Sequence, residues 1–423
     1  MSPPRLPALL CDAGFYGTLA AVRSLGRGGI PVFVADARRM TPSSWSRYAT
    51  RALRSPPVSS GAAMLEWLVR FGEAEGPAVV YPTSDEMAYL LSSHRLELEK
   101  HFALYQPDVD TLLRVLDKRQ LLEAARQVGV DTPATFFPET RADAERAGRE
   151  ADGPLLIKPR TQIFLELHRK GAIVAGAGSL GDAFDAFRRD NRYLPPIADE
   201  RPELAQPMLQ RYYAEAAEGI YSLSGFRSNG GEHPLMLGAV KVLQRPRRLG
   251  IGLCFESAAI PEVVREGATR LLEVLGYYGV FEIEFIHVGG RYLLIDMNPR
   301  FFNQMQLDVA RGLDLPRLAY AAAIGDEEEL AALAQPSSLS GQGRAFCNGI
   351  GLRILVGAQL AVGNMTGADA TRWREWRRKH GSNLVDSIAA DDDVGPFLAE
   401  GAGQVYGCFR HPRAFLRMIA LDR

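Results

Sequence analysis

Residues 279–300, "GVFEIEFIHVGGRYLLIDMNPR", restrict the fold more than any other stretch of the chain. Two apolar runs of strand length flank Gly289-Gly290, so the stretch predicts an antiparallel hairpin with a tight glycine turn. On the first arm, Glu282 and Glu284 alternate with Phe281, Ile283 and Phe285. On the second, Asp296, Asn298 and Arg300 take every second position, and Pro299 ends the strand pattern. Side chains alternate across a strand, so these polar groups share one face. Carboxylates in an otherwise apolar strand are costly to bury without partners. Glu284, Asp296 and Asn298 can converge across the pair, and such hard oxygen donors suit Mg²⁺, with Mn²⁺ also accommodated. Arg300, just beyond, offers a planar fork to a phosphate or carboxylate. The plain alternative is the wet outer face of a sheet.

The N-terminal third has a different rhythm. "LPALLCD" predicts a buried strand, Gly14 and Gly17 a turn, a helix follows to about Leu25, and "IPVFVAD" is a second strand. Helix, strand and helix follow again in "AAMLEWLVRFGEAEG", "PAVVYPTSDE" and "EMAYLLSSHRLELEK". Strands alternating with helices predict a Rossmann-like parallel sheet over residues 1–112. Residues 113–330 mix helices with antiparallel hairpins and predict an α+β domain, with a turn at Asn229-Gly230-Gly231. Residues 331–423 carry a basic helix, "RWREWRRKHG", and no fold could be assigned to them.

Three lysines break apolar surroundings. Lys158 closes the run "PLLI", Lys118 stands near a helix start in "LDKRQLL", and Lys241 interrupts "GAVKVLQ". Each alone is an ordinary solvated lysine; together they provide cations to set against a triphosphate. The run "QRPRR", which includes Arg245, adds three guanidinium groups or simple surface charge.

The formal net charge of −1 implies neither a nucleic acid nor a membrane surface as partner. There is no apolar run long enough to span a bilayer, and the N-terminal apolar run is too short for a signal peptide. Four cysteines without a C-x-x-C pair predict reduced thiols and a cytoplasmic protein without a zinc site.

The order of these pieces resembles the ATP-grasp superfamily, in the branch of carbamoyl-phosphate synthase large chains and biotin carboxylases. The resemblance spans about residues 110–325 and extends to the Rossmann-like domain before it. It implies nucleotide held between about 118–205 and 206–330. It implies that Lys118 and Lys158 hold phosphates, that Gln210, Arg211 and Tyr212 form the adenine hinge, and that Glu218 faces the ribose. It further implies metal ligation by Glu284, Asp296 and Asn298, with Arg300 and Lys241 acting on the transferred phosphoryl group.

The chain departs from the pattern in three places. Asp296 stands where glutamate is usual. The loop "PRTQIFLELHRKG" has one glycine where the family is Gly- and Ser-rich, leaving Arg160, Thr161 or Lys170 to take over from the backbone clamp. Arg300-Phe-Phe-Asn-Gln replaces the R-x-Q-V-E run of biotin carboxylases, which disfavours bicarbonate chemistry on biotin.

The implied reaction is activation of a carboxylate as an acyl phosphate by ATP and Mg²⁺, for attack by an amine. Its partners are small molecules, with a homodimer as the implied assembly. Asp85 or Glu86, in "TSDE" at a strand's carboxyl end, is placed to hold a substrate amine, although the same run fits a helix cap. A carboxylase, a phosphotransferase and a non-catalytic nucleotide-binding regulator are the other outcomes the residues allow.

Overall fold

The computed structural model describes residues 5–166, 171–195, 197–216, 219–245, 250–335 and 343–410. Glu218, Lys170 and the two distal arginines of "QRPRR" lie outside them.

The first sheet has five strands, all parallel, in the order Arg51–Arg54, Val32–Asp36, Ala8–Leu10, Ala78–Val80, Phe102–Ala103. Helix Gly61–Glu75 covers it through Met64, Leu68 and Phe71, spaced four and three apart on one face. The chain leaves the central strand Ala8–Leu10 toward one neighbour and returns on its other side, so a topological switch point lies between it and Ala78–Val80. The loops after these two strands meet there. Asp12, at φ 51°, accepts hydrogen bonds from Ser84 Oγ at 2.7 Å and Thr83 Oγ1 at 3.2 Å. A left-handed aspartate tying two loops together is the kind of strained residue found where ligands bind.

The second sheet is antiparallel, in the order Thr135–Phe136, Pro207–Arg211, Leu155–Pro159, Ala172–Val174. Helices Arg141–Glu150 and Leu180–Asp190 pack on it around Leu155, Ile157, Phe184 and Leu209. The first of these helices opens with a reciprocal cap, Thr140 to Asp143 and back.

The third sheet has seven strands: Arg291–Asn298, Gly279–Val288, Ile220–Arg227, Leu235–Arg245, Ile251–Ala258, Ala345–Cys347 and Leu384–Asp386. Neighbours are antiparallel except the last pair. The predicted hairpin is its edge. Gly289 and Gly290 sit at φ 55° and 77°, the double positive φ that a two-residue reversal needs. Residues after 343 therefore extend this sheet, and Cys254 faces Cys347 across it with both thiols free and their sulfurs 3.7 Å apart.

The chain then returns to the first sheet. Arg23, buried in helix Tyr16–Arg27, donates to Asp393 Oδ2 at 2.9 Å and to the Ile388 carbonyl at 2.6 Å. Asp393 also accepts from Ser46 Oγ at 2.7 Å and from the Arg47 backbone N–H at 2.8 Å. Beyond this pair, helix Gly395–Arg410 brings Glu400 to within 3.3 Å of the Tyr16 hydroxyl.

Candidate active site

The hairpin register sets the centre of the site. Glu284 lies opposite Asp296 and Glu282 opposite Asn298, so four polar side chains share one face. A bulge after Glu284 skips Ile295 and leaves that register intact. The face borders a cleft of about 530 Å³, whose far side is formed by the Gly14–Gly17 and Thr83–Glu86 loops of the switch point.

Each carboxylate across from another has its own lysine. Lys118 Nζ is 2.5 Å from Asp296, and Lys241 Nζ is 2.5 Å from Glu284. Burial alone would raise the Asp296 carboxyl, but Lys118 and Lys158 outweigh it and hold Asp296 below the usual aspartate range. Burial would likewise discharge Lys241, and Glu284 reverses that. Lys158 stands half-buried near the end of strand Leu155–Pro159. Burial, followed by repulsion from Lys118, brings its pKa down to about 8, against the pull of Asp296 and Glu284.

Lys118 is held by its own backbone. Asp117 caps helix Lys118–Gln127 and takes a bidentate grip from Arg160, with one arm at 2.5 Å. The Lys118 N–H donates to the Arg160 carbonyl at 3.1 Å. Arg160 thus joins the end of one sheet to the start of that helix, which corrects the expectation that it could clamp phosphate. Thr161 is buried, its carbonyl taken by the Tyr193 hydroxyl at 2.8 Å.

Arg300 crosses from the hairpin to the first sheet. Its Nε donates to Asp85 at 2.7 Å, one terminal nitrogen to the Phe301 carbonyl at 2.9 Å, and the other to Asn298 Oδ1 at 3.1 Å. Ser84 caps helix Asp85–Ser93 by accepting from the Met87 N–H, so the "TSDE" run is both a helix cap and a wall of the cleft. The Gly14–Gly17 turn packs closely on the segment after the hairpin: a Cβ on Gly17 would lie 2.6 Å from the Phe302 carbonyl oxygen.

The hinge residues lie away from this centre. Gln210 is buried and donates to Thr135 Oγ1 at 3.1 Å; Arg211 bonds the Pro154 and Tyr212 carbonyls and stacks over Tyr213. Tyr212 follows the strand and donates its N–H to the Pro154 carbonyl at 2.9 Å. They mark the passage from the second sheet to the third. Arg245 ends its strand opposite Ile251, and its charge offsets a small part of the rise that burial gives the Tyr16 hydroxyl's pKa.

Sequence reasoning did not assign a role to Glu282. One of its oxygens accepts from Ser222 Oγ at 2.6 Å and from the Gln304 amide; the other accepts from Asn298 Nδ2 at 2.8 Å. It thereby fixes the Asn298 amide with its nitrogen on Glu282 and its oxygen toward Arg300. Its alternation with Glu284 was visible, but its partners come from other elements.

A parallel switch-point sheet, a second sheet carrying Lys158, and an antiparallel sheet ending in Asn298 and Arg300 make the ATP-grasp architecture. Two kinds of comparison agree on that fold. Over 323 residues the chain is 23% identical to the carbamoyl phosphate synthase large chain of Thermus thermophilus, covering 73% of this chain but only 28% of that one. Among solved structures it is similar to the biotin carboxylase domain of the Hydrogenobacter thermophilus 2-oxoglutarate carboxylase (TM-score 0.60, 17% identity, 76% of this chain and 70% of that chain). It is also similar to N5-carboxyaminoimidazole synthetase from Staphylococcus aureus (TM-score 0.56, 14% identity, 75% and 78% covered). The L-amino acid ligase of Bacillus licheniformis is similar as well (TM-score 0.54, 15% identity, 78% and 77% covered). No family model matches the chain. No helix among the described residues is long and apolar enough to cross a membrane.

Proposed function

We propose that the chain is an ATP- and Mg²⁺-dependent ligase that activates a carboxylate for attack by an amine. One observation carries this reading: Glu284 and Asp296, each paired with a lysine, lie beside Arg300 on one face of a cleft. The donor set fits the ion. Two carboxylates and an amide oxygen are hard ligands, and Mg²⁺ usually takes few from protein and the rest from phosphates and water. Glu284, Asp296 and Asn298 would hold it, and it would supply charge neutralisation between phosphate groups.

The chain's own groups carry the rest. Phosphoryl transfer needs positioning and neutralised charge more than a covalent nucleophile. Lys118 and Lys158 stand on one side of the carboxylates as phosphate partners, and Lys241 on the other. Arg300 meets the transferred phosphoryl, steered by Asp85. Gln210, Arg211 and Tyr212 are assigned to adenine, and Glu218 to ribose, by the resemblance alone. A substrate carboxylate oxygen bonds to the terminal phosphorus as its bond to the ADP oxygen breaks. The amine then attacks the acyl carbon, phosphate departs, and the nitrogen loses a proton. The similar proteins include enzymes named for such small-molecule work, an amino acid ligase and a carboxyaminoimidazole synthetase. The Hydrogenobacter relative is described as a dimer with MgADP, and a cytoplasmic homodimer is the assembly we carry over.

The test is isotopic. With ¹⁸O in the substrate carboxylate, one label should appear in released phosphate. ATP consumed with all label kept in the organic product would exclude carboxylate activation and favour a phosphotransferase. A second test addresses the nucleotide. Lys158→Ala should weaken ATP binding by about ten- to a hundredfold, the loss of a charge-assisted contact of roughly 1.5–3 kcal/mol. Because burial and Lys118 bring the Lys158 pKa down to about 8, wild-type affinity should also fall above that pH, as its charge is lost, and the variant should lack that decline. Equal calorimetric affinities for both proteins would make Lys158 a bystander.

A further inference from the structure

Seven charged side chains line the cleft, and six of them have partners. Lys241 and Glu284 hold one another, Asp296 holds Lys118, Arg300 holds Asp85, and Glu282 accepts three hydrogen bonds. Glu86 is the remaining one. Among the described residues its half-buried carboxylate has only its own backbone N–H as a hydrogen-bond partner. Burial and the adjoining Asp85 push its pKa up to about 7, because the Arg300 charge, engaged by Asp85, offsets only part of them.

What would neutralise Glu86 must also suit Arg300. The guanidinium uses three N–H groups on Asp85, Phe301 and Asn298, which leaves two of the five a guanidinium has. Glu86 and Arg300 line the same cleft, near enough for the guanidinium charge to act on the carboxylate, so the anion-binding and cation-binding points are close. A small ligand spanning both has a carboxylate and an ammonium close to each other, as an amino acid has. The rest of the cleft wall mixes polar and apolar groups, and its exposed apolar side chains cluster at one end. Phe15 and Ile251 are 52% and 53% exposed there, and Phe255 and Leu165 lie beside them. Exposed apolar groups lining a pocket are surface for a ligand to cover.

We propose that the acid substrate is an amino acid with an apolar side chain, its ammonium held by Glu86 while Arg300 faces its carboxylate. This rests on the ligase reading for which end is phosphorylated. The structure selects Glu86 over Asp85 for the ammonium, because Asp85 is already engaged by Arg300 at 2.7 Å.

Calorimetry with leucine and phenylalanine, in the presence of ADP and Mg²⁺, tests the site directly. Their desamino counterparts, 4-methylpentanoate and 3-phenylpropanoate, are the controls. The amino acids should bind at least about tenfold more tightly than the desamino acids, and Glu86→Gln should erase that preference, a loss of about ten- to a hundredfold. Glu86→Asp should restore part of it. Thermal unfolding of both variants separates this from misfolding. The proposal is overturned if desamino acids bind as well, if Glu86→Gln leaves the preference intact, if it instead weakens only the amine co-substrate, or if neither amino acid binds. The two readings fail differently. Leucine bound through Glu86 without ¹⁸O transfer removes the ligase and keeps the site; label transfer from desamino acids at equal efficiency keeps the ligase and removes the site.

Discussion

Arg300→Lys should lower turnover by about 10²–10³-fold, the scale of losing one preorganised charge-stabilising donor, while ATP affinity changes little. The contact matters where charge develops, so its loss belongs in kcat rather than in ground-state binding. Lysine keeps the charge but not the fork. It cannot hold Asp85, the Phe301 carbonyl and Asn298 together, as Arg300 does at 2.7, 2.9 and 3.1 Å. Steady-state kinetics with ATP as the varied substrate separates the cases. A variant with near-normal kcat, or one whose loss lies wholly in ATP affinity, would take Arg300 out of the chemistry.

Arg23→Ala should destabilise the fold by about 3–5 kcal/mol, as expected when one half of a buried ion pair is removed. Both side chains of the pair are about 1% exposed, and Asp393 would be left with Ser46 and a backbone N–H but no counter-charge. The double variant Arg23→Met, Asp393→Leu should recover much of that loss, because no charge remains buried. Urea denaturation reads both. A single-variant cost under about 1 kcal/mol would mean that water reaches the pair on ordinary fluctuations. The pair bears on the site because the helix after it carries Glu400 to Tyr16, which lines the cleft.

The sequence was most legible where period and turn chemistry agree. Residues 279–300 alternate cleanly around two glycines, and the hairpin, its register face and the four polar groups on it all follow. The N-terminal strands were legible when apolar on both faces, as in Ala8–Leu10. Arg51–Arg54 has an arginine at each end and is mostly exposed, and Phe102–Ala103 has two residues; neither has a period to detect. Ile251–Ala258 mixes glycine, cysteine and serine into its apolar positions, and Ala345–Cys347 is three residues long. Those strands exist because a formed sheet offers them an edge, which is a tertiary cause. The same holds in the site. Lys118 and Asp296 lie 178 positions apart, and nothing local to either announces the other. The lysines could be found as cations in apolar company; which carboxylate each would meet could not.

One face of the second sheet has a core to itself, with every one of that core's residues between Phe136 and Leu209, while Met208 packs into the core of the third sheet. A unit that keeps most of its apolar interior to itself can tilt without exposing that interior, so the hydrophobic cost of reorientation falls mainly on Met208. The chain enters this unit near Thr135 and leaves it at Arg211, and Lys158 rides on it while Asp296 and Glu284 stay on the third sheet. A swing of a few degrees would therefore change how strongly Lys158 holds its proton. Closed, it is buried beside Lys118, and these two effects outweigh the pull of two carboxylates; opened, it regains water and holds its proton more strongly. The angle between the two sheets and the protonation of one ammonium group are linked variables, and a change in either is felt by the other.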